Sequence, residues 1–175
     1  MDKIKAGGII QNINLAQISI LCIPDRPGVA SAILGALYEK RINVQFIAQL
    51  IELNNRAHII ICISNSDLEK AKSAFEDIKS QVDAKEIIYN PNVAIISIFG
   101  PHFRDQPGVA KAVFSTLVEA NINILAINTS ISSVSCVIDG DKLTTAVNAL
   151  MSAFDLPLSS VFTAANGISL RSSKS

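Results

Sequence analysis

The residues best suited to hold a ligand lie in one short phrase, Asp25-Arg26-Pro27-Gly28-Val29-Ala30. A tight Gly-containing turn before a helix leaves several backbone N–H groups without partners. Those groups and the helix dipole favour a carboxylate. An amino acid also needs its ammonium held by carbonyls or a carboxylate, and a helix start beside a strand edge can supply both. The same phrase also reads as a plain turn, with Pro27 in the first turn of the helix and Asp25 as its N-cap. The residues alone leave both readings open.

No catalytic set accompanies this phrase. The sequence has no phosphate-binding loop ending in Lys-Ser or Lys-Thr, no dinucleotide fingerprint and no HExxH. His58 falls in a predicted strand and reads as a structural or surface histidine, while His102 falls in a loop before a helix. Cys22, Cys62 and Cys136 are widely spaced in apolar runs and read as small buried hydrophobes in a reducing compartment. No catalytic residue, metal site or cofactor is expected. Lys plus Arg and Asp plus Glu are 15 each, which gives no long-range attraction for nucleic acid or an anionic membrane. Trp is absent and aromatics are 5%, so base stacking is not expected. There is no signal-peptide core and no apolar run long enough to span a bilayer, so a soluble cytoplasmic protein is expected.

The elements that must position the phrase are repeated. Asp105-Gln106-Pro107-Gly108-Val109-Ala110 restates it, and over 25–44 against 105–124 ten of twenty residues are identical without a gap. Ile18-Ser19-Ile20 before the first copy matches Ile96-Ser97-Ile98 before the second. Each copy reads as strand, helix, strand, strand, helix, strand. The first has strands at 18–23, 42–53, 57–63 and 85–89, with helices after Pro27 and from Ser66. Ser66 and Glu69 have capping-box spacing. The second has strands at 93–99, 122–130, 134–138 and 160–164, with helical stripes Val109-Ala112-Val113-Leu117 and Leu143-Ala146-Val147-Leu150-Phe154. The expected fold class is α+β: two ferredoxin-like βαββαβ units with antiparallel sheets, packed side by side. Residues 14–90 form the first unit, 91–166 the second, and 167–175 a flexible tail.

At these residues the sequence resembles the ACT domain family, in the form of the paired units of aspartokinases. Asp25 to Ala30, Leu37, Ile42-Asn43-Val44 and Gln49 are similar to the first aspartokinase unit. His102, Pro107-Gly108-Val109, Ile122-Asn123-Ile124 and Thr129-Ser130 follow the second. The resemblance implies a non-catalytic regulatory module, since the kinase catalytic domain is not covered. It implies an amino-acid effector, threonine or lysine, feedback control of aspartokinase in amino-acid biosynthesis, a homodimer formed through the ACT units, and an aspartokinase catalytic subunit as a partner. It also implies that a strand at 6–13 completes the second unit. A free-standing double ACT protein with another target is the alternative. Carried over by position, the effector contacts are Asp25, Pro27, Gly28, Val29, Ala30, Asn43, Val44 and Gln49, with Asn123, Ile124 and Thr129 from the second copy. Gln45 and Leu125 stand where that family often has an acid, which weakens the case for holding the side-chain ammonium of lysine.

Overall fold

The computed structural model describes residues 3–101 and 103–164. Strands β1 (Ile4–Lys5) and β2 (Gly8–Pro24) precede helix α1 (Val29–Glu39). The β3 (Val44–Ile51) and β4 (Arg56–Ser64) hairpin, α2 (Leu68–Val82) and β5 (Glu86–Phe99) follow. Then come α3 (Val109–Glu119), β6 (Ala126–Thr129), β7 (Ser133–Asp139), α4 (Leu143–Ala153), β8 (Phe154–Asp155) and β9 (Val161–Ala164). His102 and the tail 167–175 lie outside the described residues.

One antiparallel sheet carries both units, in the order β3-β4-β2-β5-β7-β6. Its centre is the long pair β2 and β5, which run from Gly8 opposite Phe99 to Leu21 opposite Glu86. The separate runs read in the sequence at 85–89 and 93–99 are therefore one strand, as are 18–23 and the residues before it. Each long strand is broken by a left-handed residue, Asn14 (φ 57°) in β2 and Asn92 (φ 65°) in β5. Such bulges change the alternation of faces. Thus Ile9 packs under the second pair of helices, whereas Ala16, Ile18 and Ile20 pack under the first.

Burial explains the helices. Val29, Ile33 and Leu37 of α1 share a core with Leu68, Ala71 and Phe75 of α2. Val113 and Leu117 of α3 share another with Ala146 and Leu150 of α4. Both α1 and α3 end in the same Schellman pattern. Ile42 N–H donates to Leu37 O and Arg41 N–H to Tyr38 O, repeated as Ile122 to Leu117 and Asn121 to Val118. Arg41 (φ 56°) and Asn121 (φ 55°) take the left-handed position where glycine is usual.

Two expectations need correction. The Ser66–Glu69 capping box does not form: a 3-10 turn, Asn65–Asp67, precedes α2, and Glu69 pairs with Lys72 instead. Pro27 and Pro107 are not in the first turn of their helices, and Asp25 is not an N-cap, because Gly28 and Gly108 are the N-caps. The strand expected at 160–164 forms as β9, parallel to β2 with Ile9 opposite Val161, and residues 8–12 of β2 lie between it and β5.

The face opposite the helices is also covered. Leu15, Phe46, Cys62, Val93, Ile95, Ala126 and Val137 form one buried cluster there. The sheet curls until its outer strands β3 and β6 approach each other. Asn12 Nδ2 donates to Gln45 Oε1 at 3.0 Å, tying β2 to the start of β3.

Candidate functional site

Arg26, Pro27, Gly28 and Val29 form a type II turn. Val29 N–H reaches Arg26 O at 3.4 Å, and Gly28 takes φ 97° and ψ −22°. Gly108 repeats this conformation with φ 96° and ψ −7°. Gly28 O accepts the first helical bond, from Ala32 N–H at 2.8 Å. A glycine N-cap has no side chain to offer, so nothing at that residue caps the first amides of α1. The turn is held from both sides. Asp25 N–H donates to Asn55 O at 2.9 Å, and Arg26 Nη2 donates to Gln81 O at 3.2 Å, at the end of α2.

Beside this turn lies an open groove of about 330 Å³. Asp25, Pro27, Gly28, Val29 and Ala30 line one side and Gln49 of β3 the other, with Ala57 and Ile59 of β4 as its floor. Six candidate residues therefore meet. The groove offers free helix-start amides for a carboxylate, the Asp25 carboxylate for an ammonium, the Gln49 amide for a polar side chain, and an apolar floor. Asp25 and Gln49 are exposed.

The remaining candidates lie elsewhere in the chain. Asn43 is at the far end of α1, in a second open groove of about 570 Å³ with Tyr38, Glu39 and Arg41. An eleven-residue helix, about 16 Å long, separates it from Gly28. Val44 begins β3 and packs against the first core. Asn123 and Ile124 follow α3, and Thr129 ends β6 in the second unit. Reasoning from sequence missed Ala57, Ile59 and the anchors Asn55 and Gln81. The hairpin could have given the first two, because Gln49 pairs with Ile59 and the same face continues to Ala57.

The cysteines divide. Cys62 and Cys136 are buried, and burial pushes each thiol up to about 12. Cys22 is only half-buried, at a bulge in β2. Among the described residues no group of three or more His, Cys, Asp or Glu could hold a metal ion, and no helix is long and apolar enough to cross a membrane.

Two family models, each described as ACT domain, match residues 16–83 and 96–154. A solved structure of aspartokinase alpha and beta subunits is 31% identical, with a TM-score of 0.77, over 85% of this chain and 97% of that one. The chain belongs to the aspartokinase regulatory family, as two ACT domains. The ligand-free regulatory subunit of aspartate kinase from Thermus thermophilus is 28% identical with a TM-score of 0.78, covering 86% of this chain and 99% of that one. Aspartate kinase of Pseudomonas putida is 36% identical over 156 residues, which are 89% of this chain but 38% of that protein. The 175 residues therefore match the regulatory part and hold none of the kinase catalytic domain. ACT domains of this kind form an allosteric regulatory module.

Proposed function

We propose that this pair of ACT domains senses an amino acid of the aspartate family and feedback-regulates an aspartokinase catalytic partner. The observation that carries the reading is the groove at the Pro27-Gly28 turn, where uncapped helix amides face Gln49 across an apolar floor. Threonine is favoured over lysine. The groove has no second carboxylate beside Asp25, and Gln45 stands in place of an acid with its amide oxygen already engaged by Asn12. A buried lysine ammonium left without a partner would be costly.

The site is completed in a homodimer. The chain's own Asn43 and Val44 lie a helix length from the turn, so a second copy has to bring them, or Asn123, Ile124 and Thr129, to the groove. The edge strand β3 supports this, since Ile47, Leu50 and Ile51 are 39%, 65% and 56% exposed along an unpaired edge. We take residues 14–90 and 91–166 as the two units, with 6–13 completing the second. The register of β2 against β5 and β9 supports that division.

Calorimetric titration with threonine and then lysine tests the reading, with light scattering on the same sample. Saturable threonine binding by a dimer, lost in Gln49→Ala and weakened in Asn123→Ala, is the expected result. Tight lysine binding without threonine binding overturns the preference. No amino-acid binding by a folded dimer points instead to a double ACT assembly protein. Co-purification with an aspartokinase catalytic chain tests the partner.

A further inference from the structure

The loop that lines the groove is set by a bulge just before it. The β2–β4 ladder shifts register between Ile20 and Ile23, and Cys22 in the gap is left-handed (φ 54°). Pairing then resumes at Ile23 and Pro24, and Asp25 N–H meets Asn55 O. A slip of one residue here would turn Asp25 to the other face. Two side chains of β4 hold the bulge in place. Arg56 Nη1 donates to Cys22 O at 3.0 Å, and Cys22 N–H donates to His58 Nδ1 at 3.4 Å. The far nitrogen of the ring, Nε2, is 2.6 Å from Glu52 Oε1.

A neutral ring makes both contacts when Nδ1 accepts from Cys22 N–H and Nε2–H donates to Glu52. A protonated ring puts N–H on both nitrogens, and Nδ1–H then faces Cys22 N–H, donor against donor. Histidine is the side chain whose charge changes between about pH 5 and 8. The other charged groups around the clasp are Arg56 on the same strand, Asp83 beyond it at 3.6 Å, Lys85 in the same cleft, and Glu86 opposite Leu21 on β5. Cys22 is the titratable group on β2.

We propose that His58 is a positioning residue, part of a proton-sensitive clasp that holds the Cys22 bulge, and that protonating it loosens the effector loop. This rests on the reading of the Pro27-Gly28 groove as the effector site. A charged ring keeps its contact to Glu52 but loses the one from Cys22 N–H, so in this proposal threonine binding and protonation of His58 oppose each other.

The experiment follows both histidine rings and the backbone amides by NMR, with and without threonine, between about pH 5.5 and pH 8. Loss of a single hydrogen bond predicts threonine affinity about fivefold weaker at the acid end. Bound threonine moves the His58 midpoint to lower pH. In Glu52→Gln the ring keeps an acceptor at Nε2, so the pH dependence of affinity persists. In His58→Gln affinity becomes flat with pH. An unchanged pH dependence in His58→Gln overturns the proposal. If the chain binds no amino acid at all, the effector reading fails and amide protection still decides the clasp. Protection of Cys22 and Asp25 that falls as His58 titrates supports it, and protection unmoved by that titration overturns it.

Discussion

Gly28 and Gly108 separate what a residue does for the backbone from what it does for a ligand. Both have φ near +97°, and a Cβ built on either meets nothing within 4 Å. An alanine at either position is therefore strained by its backbone alone, at about 1–2 kcal/mol. We expect Gly28→Ala and Gly108→Ala to lower stability equally in urea titrations. Only Gly28→Ala should also weaken threonine binding, since it alone reshapes the groove beside Gln49. Equal loss of binding in both variants would show that the effect is global softening. The Pro-Gly pair was legible in the sequence as a turn before a helix. That Gly28 would itself be the N-cap was not, because either helix start satisfies the same residues and the φ of Gly28 decides between them.

At the scale of elements, α1 and α3 were readable from their stripes, whose apolar spacing carries the period of the helix. The capping box misled because local spacing competes with the preceding turn. Asn65–Asp67 closes a 3-10 turn first, and that moves the start of α2 past Ser66. Which strand closes each unit was not legible from composition or alternation. Residues 8–12 and 161–164 each hold an adjacent apolar pair, Ile9-Ile10 and Val161-Phe162, and only the long-range register assigns the place beside β5 to the first. Ile9 is 0% exposed in the core of the second unit, although it lies at the other end of the chain. Removing residues 1–13 should therefore strip amide-exchange protection from β7 and α4 while α1 and β4 keep theirs. Equal protection in both units would place the strand outside the second fold. A milder version, Ile9→Ala, should cost about 2–4 kcal/mol.

For the whole molecule, the question is whether two ACT domains on one sheet behave as one body. The helices do not join them: α1 packs with α2, and α3 with α4, in separate cores. Joining falls to the shared strands β2 and β5 and to the cluster on the opposite face. In that cluster Phe46 of β3 and Leu15 of β2 meet Ile95 and Val137 of the second unit. Phe46 is 6% exposed and belongs to neither helix-covered core. Emptying its site loosens the cluster in which the two units meet. Phe46→Ala should cost about 3–5 kcal/mol and should split a single calorimetric unfolding transition into two. A lowered but still single transition would mean that the β2–β5 ladder couples the units without the cluster. The distinction bears on regulation, because under the proposed function a signal raised at the Pro27-Gly28 groove would reach the second unit of the same copy through elements the two share. Asn12 at the β2 bulge and Gln45 at the start of β3 already bond across that junction. If the cluster carries the coupling, Phe46→Ala should leave threonine binding in the first unit intact and uncouple it from amide protection in β6 and β7.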